Sequence, residues 1–454
     1  MSARNLLRNP LYEYLSSKYR IVIISEMSQQ KEFINEFKKP DIFFEKLIFD
    51  DERVKNSLVF RLHRWGDRYF FANNRQIHGV PLSKYLYKAK LLEELKVKLM
   101  GEVFVKFPWL NRWMVRKIKK MVVSDYYNKL FKKYKPELVF TSHPFVESEN
   151  QITLNAKQNE IQTISIIHSW DNLTSKGRIH CLPDKVIVWN EVMKSEMEAL
   201  YHGKINKEDI HVVGIPQHDY IQNENWDMGR EKFLNKIGAD PDRAIITYIS
   251  RGLIYPHYRE RENIEIIINT INKGEFIKNS QLVIRENAGV CRSSCHDVIG
   301  ARPNVVFDVP DVSHRPNSNE KNIWNKDVSS IYHLSNLLKY SDVILNFGST
   351  ITLDSIYFDI PTIWPIYPPE KKYSKIKYGN IPFVLKWGYL QPILNTGGID
   401  IPREPKDLIQ LINSSLENPK SLSKPRMQIK EMYCPFRDGK AGLRIAKIIE
   451  SMIA

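Results

Sequence analysis

Residues 341–365 read SDVILNFGSTITLDSIYFDIPTIWP, and few folds accommodate that order of letters. Val343, Ile344 and Leu345 form a short, wholly apolar run, the pattern of a strand buried on both faces of a parallel sheet. Gly348, Ser349 and Thr350 punctuate it, and Ile351, Leu353, Ile356 and Tyr357 then recur at the spacing of a short helix. Pro361 opens the next apolar stretch, 362–364. The segment therefore spells strand, turn, helix, strand: a βαβ unit, whose parallel strands demand a crossover and a layered α/β fold. Positions 349–352 hold the first free backbone N–H groups of the helix, and three of the four carry hydroxyls, a seat for a phosphate or diphosphate. An ordinary turn capped by Ser349 explains the same letters.

The alternation recurs along the chain. Residues 19–27, YRIVIISEM, form a first β-branched strand, and Phe33, Ile34 and Phe37 give 29–39 a helical apolar face. Strands at 137–141, 163–168, 184–189 and 211–214 are separated by helices at 147–159 and 192–201. After Pro216 and the polar run 223–227 a second series begins, with strands at 245–249, 281–285 and 305–309 and helices at 263–272 and 331–339. Strands set apart by about 10–15 residues of helix imply parallel, doubly wound sheets. Residues 62–79 read as a long irregular connection, and 313–326 as a polar loop without periodicity. A chain of 454 residues exceeds the usual reach of one core. The breaks divide it into an N-terminal domain at 1–225, a second domain at 226–425 and a closing segment at 426–454 that contains an amphipathic helix.

Composition narrows the function classes. Cys181, Cys291, Cys295 and Cys434 are too few and scattered for a disulfide framework, so a reducing compartment is expected, and Cys291, Cys295 and His296 match no standard zinc spacing. The N-terminal stretch holds no apolar core of signal-peptide length, which together with the lack of any long apolar run predicts a cytoplasmic location. A net charge of +15, from 67 Lys and Arg against 52 Asp and Glu, favours anionic partners. Much of it sits in the helical insertion 84–135, where 15 Lys and Arg face four Asp and Glu. There Phe107, Trp109, Leu110, Trp113, Met114 and Ile118 interleave with Arg112, Arg116, Lys117, Lys119 and Lys120, as in a helix lying peripherally on the anionic inner face of a membrane. Packing of that aromatic face on its own domain is the plainer alternative. With the charge confined to one region and no RNA or DNA module signature, a nucleic-acid-binding protein is the weaker, non-enzyme reading, and no nucleic-acid partner is expected.

Two successive doubly wound domains with a closing helix resemble the GT-B architecture, in which two Rossmann-like domains face a central cleft. Sharper likenesses lie in VIVWNEVMKSEM (186–197), IHVVGIPQHD (210–219), FGSTITLDSIYFDIPTI (347–363) and FRDGKAGLRI (436–445). These are similar to segments of bacterial surface-polysaccharide transferases, of CDP-glycerol glycerophosphotransferases and of UDP-N-acetylglucosamine 2-epimerases. The resemblance implies a glycosyltransferase moving a sugar, or sugar-like group, from a nucleotide-activated donor to a surface-polysaccharide or lipid-linked acceptor. The glycerophosphotransferase and epimerase reactions are its alternatives. No cofactor beyond the donor is implied and no metal is required, since arginines and a helix end can stabilise a leaving diphosphate.

By the same resemblance the second domain binds the donor. Ser349 and Thr350 match the turn that holds its phosphates, and Asp354 stands where a carboxylate takes the ribose hydroxyls. Arg251 and Arg285, at strand ends, offer guanidinium groups to the diphosphate. Many relatives have a His-Pro pair where this chain has Arg285, Glu286 and Asn287. The first domain carries the acceptor and the base. His168, before the polar turn SWDNLTSKGR, resembles in position the strand-end histidine base of the glycerophosphotransferases, and imidazole suits proton removal from a hydroxyl near neutral pH. Asp171 would orient it or share its role, while His143, Lys176 and Arg178 are acceptor-side candidates. A histidine that caps a turn and arginines in surface ion pairs are the bland readings of the same residues.

Overall fold

The computed structural model describes residues 5–49, 56–72, 91–222, 226–251, 259–286, 295–309, 329–366, 385 and 387–453. The expected polar loop at 313–326, and Cys291, lie outside them. The chain divides into two units: Met1–Asp219 with Trp387–Tyr389 and Phe436–Ala454, and Tyr220–Lys386 with Leu390–Pro435.

The first unit runs α1 (Pro10–Ser16), β1 (Ile21–Ser25), α2 (Lys31–Phe37), β2 (Ile42–Lys46), α3 (Leu58–Ala72), α4 (Leu91–Lys106), α5 (Pro108–Val122), α6 (Asp125–Tyr134), β3 (Leu138–Thr141), α7 (Glu147–Gln158), β4 (Gln162–Ile166), α8 (Asn172–Ser175), β5 (Lys185–Val188), α9 (Glu191–Leu200) and β6 (Ile210–Val212). Its main sheet is wholly parallel, in the order β3-β4-β5-β6, with Phe140 opposite Ile164 and Ile166 opposite Ile187. Hydrogen-bonded pairing continues one residue past β4, from the Ile167 N–H to the Ile187 carbonyl at 2.9 Å, which delivers His168 to the carboxyl edge of the sheet. Among the described residues β1 pairs instead with β2, in a separate parallel ladder.

Residues 441–453, placed far along the sequence, form a helix that belongs to this unit. Its Ile445, Ala446 and Ile449 pack in one buried cluster with Ile164, Ile166 and Ile187, and full burial of each such isoleucine stabilises the fold by about 1.5–3 kcal/mol. Asp219 holds its start: Oδ1 accepts from the Ala441 N–H at 3.0 Å and Oδ2 from the Gly442 N–H at 2.8 Å and Asn9 Nδ2 at 3.1 Å. A carboxylate on the first free N–H groups satisfies donors that the helix itself leaves open.

The irregular connection expected at 62–79 is in its described part the helix α3. Its buried face is made by Phe60, His63, Gly66 and Asp67. Three of those four are not apolar residues, so the helical period is hidden from a hydropathy reading. The fit against α4 is close: a Cβ on Gly66 would stand 2.2 Å from the Phe104 ring, and one on Gly101 2.0 Å from the Tyr69 ring. Helix α5 turns Met114, Ile118 and Val122 inward, the last two packing with Phe60 and Leu154, and leaves Trp109 and Trp113 in solvent, 59% and 44% exposed. The aromatic residues of this stretch, Phe107, Trp109 and Trp113, are thus on the surface, and its Met114 and Ile118 go to the core.

The second unit contains α10 (Arg230–Ile237), β7 (Ala244–Ile249), α11 (Glu260–Asn272), β8 (Ser280–Arg285), α12 (Cys295–Ile299), β9 (Val305–Asp308), α13 (Ser329–Tyr340), β10 (Val343–Leu345), α14 (Ile351–Tyr357), β11 (Thr362–Ile363), α15 (Gln391–Leu394), α16 (Pro405–Glu417) and α17 (Ser423–Tyr433); the returning helix of the first unit is α18 (Ala441–Ile453). Its parallel sheet has the order β11-β10-β7-β8-β9, with the fully buried AIITYI of β7 at its centre. The 341–365 stretch forms the strand, turn, helix and strand expected of it. Helix α14 stops where Asp359 takes a left-handed φ of 59°, a conformation Asp tolerates better than most residues. Its carboxylate accepts from the buried Arg426 Nε at 2.7 Å and from Ser423 Oγ at 2.6 Å, both on α17.

Candidate active site

In the first unit the carboxyl ends of β3 and β4 bring two imidazoles together. His143 and His168 stack with ring centroids 6.2 Å apart and planes 24° from parallel. The backbone beneath His143 is fixed by Glu149 in the first turn of α7, which accepts from the His143 N–H at 2.6 Å and from Ser142 Oγ at 2.9 Å. Below the pair, the Thr141 and Ser165 hydroxyls bond each other across the strands. His168 is buried. The pKa of His143 is pushed down, first by burial and then by the charge of Lys176, so its ring is held in the neutral form that can accept a proton.

Asp171 stands at the start of the short α8, where its side chain accepts from Ser175 Oγ at 2.7 Å and from no N–H of the helix start. Its charge is felt by Glu196 on α9. Burial and then that nearby carboxylate push the Glu196 pKa up to about 8, and its Oε2 is buried without a hydrogen-bond partner. A carboxyl that keeps its proton at neutral pH beside a candidate base is the arrangement that acid–base sites use. In the sequence the stretch EVMKSEMEAL marks a helix and sets Glu196 apart from none of its other charges. Lys176 and Arg178 line a cavity of about 540 Å³ together with Arg64, His63, Asp67 and His180. His143 is not among its lining residues. Three of these six come from α3, where no site was expected.

In the second unit the turn after β10 is organised by Asn346, which the sequence reading also missed. Its Oδ1 accepts from the Gly348 N–H at 3.0 Å, the Ser349 N–H at 3.3 Å and Thr352 Oγ1 at 2.8 Å. The signal was present, since an Asn two residues before a Gly is a common way to close a turn. Trp364 Nε1 donates to the same Thr352 hydroxyl at 3.1 Å. Thr352 is therefore a structural bridge, and the three hydroxyls expected to greet an anion reduce to Ser349, which is exposed, and Thr350, half-buried. Gly348, just before them, takes φ 66°. Asp354 is half-buried in the first turn of α14.

The two arginines fare differently. Arg251 follows β7, half-buried, with its N–H donated to the buried Glu260 at 2.7 Å. Arg285 is only 8% exposed; its Nη1 donates to Asp308 Oδ2 at 2.6 Å, and His333 Nε2 meets Asp308 Oδ1 at 2.7 Å. Burial alone would raise the Asp308 carboxyl, but the His333 hydrogen bond and the Arg285 charge hold it below its usual range. The register of β8 on β9 sets Arg285 opposite Asp308. The guanidinium expected to bind a diphosphate is thus committed to an internal ion pair.

Similarity to known proteins agrees with this layout. The UDP-GlcNAc 2-epimerase of Methanocaldococcus jannaschii is 13% identical, with a TM-score of 0.51 over 99% of this chain and 96% of that one. CalG4, the calicheamicin glycosyltransferase, is 12% identical, with a TM-score of 0.50 over 100% of this chain and 94% of that one. The fold is that of the GT-B class, α/β with Rossmann-like units and parallel sheets. Residues 113–451 match the model of the CDP-glycerol:poly(glycerophosphate) glycerophosphotransferases, and the chain belongs to that family. No curated protein matches it in sequence. Among the described residues no helix is long and apolar enough to cross a membrane.

Proposed function

We propose that this transferase moves a sugar, or a sugar-like polyol phosphate, from a nucleoside-diphosphate-activated donor to a hydroxyl of a surface glycan or lipid-linked acceptor. The observation that carries the reading is the stacked imidazole pair at the carboxyl ends of β3 and β4, with His168 where open α/β sheets place their ligands. His168 removes the acceptor's proton, and the neutral His143 ring holds it in place. Lys176 and Arg178 supply positive charge on the acceptor side. In the second unit Ser349, Thr350 and the half-buried Arg251 and Asp354 serve the donor.

Two donor chemistries fit, and family membership favours the second. Attack at a sugar carbon releases a nucleoside diphosphate, whereas attack at the outer phosphorus of a nucleotide-linked polyol releases a nucleoside monophosphate. A panel of nucleotide sugars and CDP-glycerol, assayed for UDP, CDP or CMP, separates them. His168→Ala should leave donor affinity intact and lower turnover by roughly 100-fold or more. Near-native turnover in that variant would refute the assignment of the base.

A peripheral place on an anionic membrane face belongs to the same proposal. Leu92, Leu95 and Leu99 on α4, Phe107 at the junction, and Trp109 and Trp113 on α5 are all exposed, and α5 also carries the exposed Arg112, Arg116, Lys117, Lys119 and Lys120. Apolar and aromatic side chains ringed by cations are what an anionic headgroup region takes up.

A further inference from the structure

The cavity of the first unit holds a cluster for which proton transfer at His168 has no use. His63 and Asp67 stand one turn apart on α3, and His180 approaches from the loop before β5. Asp67 Oδ2 lies 3.6 Å from His63 Nδ1 and 3.8 Å from His180 Nδ1, and one donor atom from each of the three residues falls within 4.8 Å of the others. Donors bound to one first-row metal at about 2.1 Å stand about 3.0–3.5 Å apart, so small side-chain rotations close the set. The other oxygen, Oδ1, turns to Arg178 Nη1 at 3.4 Å. Behind His180, Glu147 Oε1 lies 3.6 Å from Nε2, the ring nitrogen that does not face Asp67.

His63 is 1% exposed, and neither of its ring nitrogens makes a hydrogen bond of ordinary geometry, although Asn111 lies beside the ring. Both Asp67 oxygens are likewise buried without one. Buried polar atoms are rarely left in that state, because each costs about 1–3 kcal/mol. The loop is also built for precision. The Ile179 N–H donates to the Tyr201 hydroxyl at 2.7 Å and the Cys181 N–H to Asn150 Oδ1 at 2.9 Å, so buried side chains pin the backbone on either side of His180.

We propose that His63, Asp67 and His180 bind one first-row divalent transition ion, with Glu147 orienting His180. Two imidazoles and one carboxylate are a ligand set that such ions accept, with the remaining positions open to water. The ion ties α3, which precedes the family match at 113–451, to a loop within it, so two of its three ligands lie outside the matched segment. It is independent of the acid–base assignment above.

The test uses the untagged full chain, freed of metal with a chelator and titrated with Co²⁺ by absorbance and with Zn²⁺ by calorimetry. One equivalent should bind with ligand-field bands, and Zn²⁺ should raise the melting temperature. His63→Ala, Asp67→Asn and His180→Ala should each weaken binding at least tenfold, Glu147→Gln by roughly tenfold, and the exposed His202→Ala not at all. Where His63→Ala fails to fold, the half-exposed His180→Ala decides. Lack of saturation by about 100 μM, or unchanged affinity in His180→Ala, overturns the proposal.

Discussion

Glu196→Gln should stabilise the first unit in alkaline solution and leave it nearly unchanged at pH 5. The fold moves this carboxyl from its ordinary value of 4.5 to about 8, by burial and then by the charge of Asp171. A raised pKa means that the folded state prefers the protonated form. The group therefore costs nothing below 4.5, and its cost grows as the pH rises towards 8, where the folded protein must also release the proton. Each pH unit in that window is a factor of ten in equilibrium, which sets a ceiling on the order of 5 kcal/mol. Effective dielectric constants nearer 20 than 4, found even at buried sites, bring the expected gain closer to about 2 kcal/mol. For a unit of this size that is a rise in melting temperature of roughly 4–8 °C at pH 9. Thermal unfolding of both proteins at pH 5 and 9, followed by circular dichroism, reads it directly. In an Asp171→Asn background the gain should shrink, since the second cause is gone. An offset equal at both pH values, or none at pH 9, would refute the reasoning.

Three further outcomes follow from the packing and charge. Arg285→Ala leaves Asp308 with His333 alone and should cost about 1–3 kcal/mol in denaturant titrations; because the Asp308 pKa is lowered, its contribution is present above the usual carboxylate range and fades as the pH falls through the folded value, so the variant should lose less in acid than the native chain does. Gly101→Ala should destabilise by about 1–3 kcal/mol, the clash with Tyr69 outweighing the gain of about 1 kcal/mol in helix propensity, and a neutral result would mean that α3 and α4 are not packed so closely. Changing Lys117, Lys119 and Lys120 to glutamate should abolish salt-sensitive sedimentation with anionic vesicles, at about 1 kcal/mol per cation; a native chain that never binds such vesicles removes the membrane from the proposal.

How far the sequence could be read depended on what each element buries. VIL in β10, AIITYI in β7 and the run before His168 are rich in apolar residues and buried on both faces, as parallel strands covered by helices on either side are. His168 was legible because it ends such a run. Helix α3 was not, because it buries His63, Gly66 and Asp67 where a pattern of apolar residues would be sought. Arg285 shows a second limit: one strand announces its end but not its neighbour, and only the register with β9 reveals Asp308 opposite. Thr352 shows a third, since a hydroxyl at a helix start looks the same whether it faces a ligand or, as here, bonds Asn346 and Trp364.

The clasp of Asp219 on α18 has a consequence for the order in which the molecule can be made. The strands that carry His143 and His168 leave the ribosome early, but the isoleucines that cover β4 and β5 come more than two hundred residues later. At typical synthesis rates of about 5–20 residues per second, that is a wait on the order of 10–50 s. Through that interval Ile164, Ile166 and Ile187 have Leu6, Leu11 and Val213 beside them but lack the part of their cover that α18 supplies, while every residue of the second unit has already been synthesised by the time α18 appears. A nascent chain at that stage holds every residue of the second unit but not the α18 side of the histidine-bearing sheet, so exposure to aggregation and to chaperones is expected to concentrate on that side.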